Sequence, residues 1–177
     1  QNFSNLAYYL GKVIFSNPDL WIKFGDFESK ILQDKISSYQ LNQPIYITGL
    51  ARSGTTFMLE NLANSPDCVS HQYRDYPMLF TPYLWNKLIS LFDFGIFSKK
   101  FERSHQDGIK VSAKSPEALE EVIWQHFFKH LHDSSMNNIL DAQTVNAKFE
   151  KFYQEHLIKL LLVRQGKRYL AKANYNL

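Results

Sequence analysis

The sequence predicts an α/β fold: a central parallel sheet flanked by helices, with a helical, aromatic-rich insertion. Three observations carry that expectation. The β-branched and aromatic run Ile45-Tyr46-Ile47-Thr48 leads into a glycine-bounded loop and then a helical pattern, so residues 45–62 read as strand, loop and helix. A second strand pattern, Arg168-Tyr169-Leu170-Ala171-Lys172-Ala173, follows a long helical one. The order helix, strand, helix, more helices, strand is that of a parallel sheet with crossover helices.

Ahead of the first strand, Leu20, Phe24, Phe27 and Ile31 recur at helical spacing between residues 18 and 41, with Lys23, Asp26, Glu28 and Lys30 on other faces. This predicts an amphipathic helix ended by Asn42-Gln43-Pro44. After the loop, Phe57, Met58, Leu59 and Leu62 support a helix that stops at Asn64-Ser65-Pro66. Residues 74–101 are dense in rings and broken by Pro77, Pro82 and Gly95, which predicts short helices joined by bends. Ser115 is the expected cap of a helix with Pro116 and Glu117 in its first turn and Leu119, Val122, Ile123 and Phe127 on one apolar face. Glu117, Glu120 and Glu121 are read as helix-start charges on a solvated surface, and His126, His130 and His132 as a helix face. The last helix places Phe149, Phe152, Tyr153, Leu157, Leu160 and Leu161 inward, with Lys151, Glu155 and Lys159 in water, and ends at Gln165-Gly166-Lys167.

With 177 residues, 45% hydrophobic and 15% aromatic, the chain can close one core, so residues 1–177 are expected to be one domain, 1–43 a helical lead-in and 44–177 the α/β part. Twenty basic against 17 acidic residues leave +3, too small and dispersed an excess for a nucleic-acid partner. The single cysteine, Cys68, has no internal disulfide partner, which fits a reducing, cytoplasmic compartment; without a Cys/His cluster, no metal is expected. No basic segment followed by an apolar stretch occurs in residues 1–43, and no uncharged run approaches the ~20 residues a membrane span requires. The oligomeric state is left open.

The chemistry concentrates in Gly49-Leu50-Ala51-Arg52-Ser53-Gly54-Thr55-Thr56. Its two glycines have Walker A spacing, directly after a strand and before a helix, so the sheet is expected to be of the P-loop type. Glycine tolerates positive φ, letting successive N–H groups turn inward around an anion, and the following helix adds unpaired N–H groups and its dipole. Thr55 stands where the nucleoside-triphosphate lysine belongs, which argues against an ordinary ATPase or GTPase. Arg52 supplies a cation instead, with a fork suited to phosphate or sulfonate oxygens.

Arg52-Ser53-Gly54-Thr55-Thr56 resembles the 5'-phosphosulfate loop of sulfotransferases that use 3'-phosphoadenosine 5'-phosphosulfate (PAPS). Arg103-Ser104-His105-Gln106-Asp107-Gly108-Ile109, Ser115-Pro116-Glu117-Ala118-Leu119-Glu120-Glu121 and residues 167–174 also resemble segments of bacterial members. The resemblance implies that Arg52 contacts the bridging phosphate and sulfonate, while Ser53, Gly54, Thr55 and Thr56 bind the 5'-phosphate. It implies a small-molecule, sugar or lipid acceptor and places the 3'-phosphate site beyond Leu177, so the chain is expected to be the amino-terminal portion of a longer enzyme.

Sulfuryl transfer needs charge neutralisation and a base for the acceptor's proton. Asp75, ahead of His71, is the candidate base in the segment after the loop helix; the competing readings are a salt bridge to Arg74 or a turn cap for Asp75 and a satisfied strand-end histidine for His71. His105 is a third candidate, in a segment whose Asp107-Gly108 also reads as a turn. The resemblance places Lys172 on a sheet strand near the cofactor; its competing reading is a solvated strand-end lysine. Two other functions fit the loop: a nucleotide kinase or hydrolase with an altered Walker loop, and a nucleotide-binding fragment without catalysis.

Overall fold

The computed structural model describes residues 16–50, 53–91, 101–102, 110–130, 133, 135, 140–141 and 143–172. Helices α1 (Pro18–Ile31) and α2 (Gln33–Ser37) precede strand β1 (Ile45–Ile47), and α3 (Thr55–Ala63) leads to β2 (Cys68–Val69). A 3-10 helix (Tyr73–Met78) and α4 (Pro82–Leu91) come next, then β3 (Phe101–Glu102) and β4 (Lys110–Val111). Helices α5 (Glu120–Phe127) and α6 (Ala147–Arg164) and strand β5 (Arg168–Lys172) complete the order.

The molecule is mixed α/β with a small parallel sheet, ordered β1-β5-β2, beside an antiparallel β3-β4 pair. β5 lies in the middle, Ile45 beside Leu170 and Val69 beside Tyr169. Its central residues Tyr169, Leu170 and Ala171 are all buried, as a strand covered on both faces requires. Alternation sends Tyr169 and Ala171 toward α6, where they join Val69, Leu157, Leu160 and Leu161 in one core cluster. Fully buried Leu160 and Leu161 each contribute on the order of 2 kcal/mol relative to exposure. A second cluster, including Leu79, Phe80, Ile123, Phe149 and Phe152, joins the 3-10 helix, α5 and α6. The ring-rich stretch thus supplies short helices, as its prolines predict; residues 92–100 lie outside the described ones.

Three expectations are corrected. The α1 stripe Leu20, Phe24, Phe27 and Ile31 is 45–59% exposed, while Gly25, Glu28 and Ser29 face inward. Close approach decides this orientation: a Cβ on Gly25 would sit 2.6 Å from the Phe80 carbonyl oxygen and 2.8 Å from Phe152 Cε2. An ion pair completes it, Lys159 Nζ lying 3.1 Å from Glu28 Oε2 with both side chains wholly buried. Lys159 therefore does not face water; it also donates to the Gly25 carbonyl at 2.9 Å, and Leu84 N donates to Glu28 Oε1 at 2.6 Å. Finally, Ser115 does not cap α5, which starts at Glu120. Its Oγ accepts from Ser112 N at 3.0 Å, and its carbonyl accepts from Tyr73 N, pulling residues 112–117 alongside the segment after β2.

The α6-to-β5 turn lies where Gln165-Gly166-Lys167 predicts it. Gln165 takes the left-handed conformation (φ 58°), and Gly166 is needed because a Cβ there would run into Val69.

Candidate functional site

The loop between β1 and α3 needs glycine at both ends, for different reasons. A Cβ on Gly49 would lie 2.6 Å from Ser53 Oγ and 3.0 Å from Thr55 Cγ2, so the chain can fold back only without a side chain there. Gly54 has φ +84° and open space around it, so conformation alone selects glycine. Ser53 N donates to the Leu50 carbonyl at 3.1 Å, closing the turn. Gly54 is the N-cap residue of α3, no side chain caps that terminus among the described residues, and the first turn carries no acidic group. The dipole's positive end is therefore unopposed locally, the setting in which a helix start takes an anion. Arg52, the expected cation, lies outside the described residues.

A cation reaches this loop from the neighbouring strand. The parallel register puts Lys172 beside Ile47, and Lys172 Nζ donates to Thr56 Oγ1 at 3.0 Å. The described residues fit a phosphate group: a glycine-turned backbone, two threonine hydroxyls at a helix start, and an ammonium on one of them.

The candidate bases lie apart from that geometry. Asp75 is wholly buried; Arg164 Nη2 donates to both its oxygens at 2.6 Å, Gln72 N to Oδ2 at 2.7 Å and Asn86 Nδ2 to Oδ1 at 3.1 Å. It is thus a turn cap and an ion-pair partner, with Arg164 in place of the anticipated Arg74, and Arg164 also donates to the Ser70 carbonyl. His71 is 2% exposed, its Nδ1 2.9 Å from Tyr169 Oη and its Nε2 2.9 Å from His156 Nε2, with one imidazole donating to the other. Burial lowers its pKa to about 4 and holds His156 well below the usual histidine range. His105 and Asp107 lie outside the described residues. On α5, His126 sits 3.2 Å from Asp19 Oδ1.

One group was misread in the sequence. Glu120 is 1% exposed, and neither carboxylate oxygen has a hydrogen-bond partner among the described residues. Burial raises its pKa to about 8 against a partial pull downward from the Trp124 side chain, and burial, with the charge of Glu120 second, raises the phenols of Tyr46 and Tyr169. The signal was legible: Glu120 precedes Ile123 by three and Phe127 by seven residues, on the apolar stripe of α5.

Among the described residues no group of three or more His, Cys, Asp or Glu could hold a metal ion, and no helix is long and apolar enough to cross a membrane. Comparison with protein-family models, curated proteins and solved structures finds no match.

Proposed function

We propose that this chain forms the donor-binding part of a sulfotransferase, built on a P-loop-type sheet, that moves a sulfuryl group from PAPS to a hydroxyl or amine acceptor. The carrying observation is the loop cation: Thr55 replaces the Walker lysine, yet Lys172 brings an ammonium to Thr56 Oγ1 at 3.0 Å from the adjacent strand. In this reading the backbone N–H groups of Gly54, Thr55 and Thr56 hold the 5'-phosphate, and the hydroxyls of Ser53 and the threonines add donors, the Ser53 N–H being spent on the Leu50 carbonyl. Arg52 and Lys172 offset the charge that gathers on the leaving phosphate. The donor supplies the sulfuryl group, and the acceptor's O–H or N–H gives up one proton as the new bond to sulfur forms. That proton is sought first by His105, because the lone pairs of Asp75 and the ring nitrogens of His71 are already engaged in the core.

Calorimetric titration with 3'-phosphoadenosine 5'-phosphate, the desulfonated donor, tests the reading. Saturable binding that weakens at least tenfold in Arg52→Ala and in Lys172→Ala is expected. Magnesium-dependent ATP turnover, or equal affinity in Arg52→Ala, refutes it. Turnover by the full protein, measured with labelled donor, separates an enzyme from a binding fragment.

A further inference from the structure

A cleft of about 850 Å³ runs along the free side of β2, walled by the second half of α3, by α4 and by the turn at residues 112–116. None of the described residues of the 49–56 loop lines it. Its chemistry is dominated by one unsettled cation. Arg74 is half-buried in the cleft wall, its Nε is shut off from water without a hydrogen-bond partner, and no described carboxylate lies within ion-pair distance of it. The neighbouring Asp75 is turned away, both oxygens given to Arg164 at 2.6 Å. Two guanidiniums thus share the neighbourhood of one carboxylate that pairs with only one of them. Burial and the nearby Arg164 charge lower the Arg74 pKa, a pull that the Asp75 carboxylate offsets only in part.

The rest of the cleft extends this imbalance. Lys87 and Lys114 stand exposed at its rim, and Glu60 is the sole acidic residue among those lining it. Asn64, Ser65, Ser90 and Ser112 add short polar side chains to the lining. A half-buried guanidinium without an anion is a costly state that a bound ester can relieve. The volume falls in the range of small-molecule sites and is far larger than a bare ion needs.

We infer that this cleft is a second ligand site, separate from the loop, for a small hydroxylated molecule that carries a phosphate or sulfate ester. Arg74 grips the ester oxygens, the short polar side chains of the lining meet ligand hydroxyls, and Lys87 and Lys114 draw the charge in. The site stands independently of the sulfuryl-donor reading, since it shares no residue with the loop.

Calorimetry on the 177-residue chain with glucose 6-phosphate, glucose 6-sulfate, glucose and inorganic phosphate tests it. Saturable binding of at least one charged sugar is expected, at least tenfold tighter than glucose or inorganic phosphate alone. Which ester binds tighter identifies the source. Arg74→Met should weaken that binding at least tenfold, while Thr55→Val leaves it unchanged. No saturable binding of either charged sugar overturns the inference, as does equal affinity in Arg74→Met, equal affinity for inorganic phosphate, or loss in Thr55→Val. Should Arg74→Met fail to fold, Lys114→Glu at the exposed rim serves instead; a threefold or greater loss supports the site and unchanged affinity overturns it.

Discussion

Replacing Glu120 by glutamine should stabilise the protein, and more so as pH rises. The carboxyl is buried, has no described hydrogen-bond partner, and has a folded pKa of about 8 against an ordinary value of 4.5. Between those values the unfolded chain releases a proton that the folded one retains, so stability present below pH 4.5 is lost as pH rises toward 8. Each pH unit costs about 1.4 kcal/mol, which accumulates to about 3 kcal/mol at pH 7. Between pH 6.5 and 8 the change is about 1.5 kcal/mol, because ionisation of the folded state begins to flatten the curve. At its lower end the unfolded histidines are still half protonated, so buried, neutral His71 and His156 add a smaller rise in stability over the window, which wild type and variant share. Urea unfolding of wild type and Glu120→Gln across the window is the assay. The variant's advantage over wild type should widen by about 1.5 kcal/mol across the window, leaving the variant ahead at pH 8. Parallel curves, or a less stable variant at pH 8, would show that Glu120 is ionised in the fold and refute the reasoning.

Acid should act on His71 in the opposite sense: its folded pKa of about 4 lies below the ordinary 6.5, so stability present above pH 6.5 is lost as pH falls, about 3 kcal/mol by pH 4. Urea midpoints in the Glu120→Gln background read this directly, and a level acid limb contradicts it. Lys159→Met leaves Glu28 charged in the core and should cost about 3–5 kcal/mol, whereas Lys159→Met with Glu28→Gln should recover at least half; a double variant no better than the single shows that the pair does not interact. Asp75→Asn strands the Arg164 guanidinium, 9% exposed, and should lower stability by about 3 kcal/mol; a neutral result removes the ion pair from the account. Gly166→Ala drives a methyl into Val69 and should cost about 1–3 kcal/mol, with Val69→Ala restoring part of the loss; if the second change only adds damage, crowding is not the cause.

Local pattern made part of this molecule readable in advance. The observed strand at residues 45–47 and the helix from Thr55 fall where a β-branched run, a glycine loop and an apolar helix pattern place them. The α6–β5 connection was legible for the same reason, since Gln165 and Gly166 act within a few residues of their own position. The orientation of α1 was not, because it is set by a lysine 131 residues away and by rings approaching Gly25, neither of which leaves a trace in the helix's own periodicity. Asp75 reads from the sequence as the first candidate base, with a turn cap or a salt bridge to Arg74 competing; its actual partner Arg164 is 89 positions distant and only the fold brings them together. Ser115 was misassigned because serine before proline and glutamate has a cap's composition, while the bonds of residues 112–117 to the segment after β2 draw it into a turn. Glu120 was an avoidable miss: its position on the apolar stripe was present in the spacing, and only the habit of assigning carboxylates to water concealed it.

The parallel register between β1 and β5 has a kinetic corollary. The partner of Ile45 is Leu170, and the donor to Thr56 is 116 residues downstream. Closing so long a segment must precede any reward from strand pairing, which slows folding relative to locally connected chains. A chain emerging in order from the ribosome would therefore display its glycine-rich turn long before the middle strand arrives to brace it. Truncating the product before residue 168 would leave that turn without its flanking strand, so protection of the β1 amides against hydrogen exchange should appear only once β5 has been synthesised.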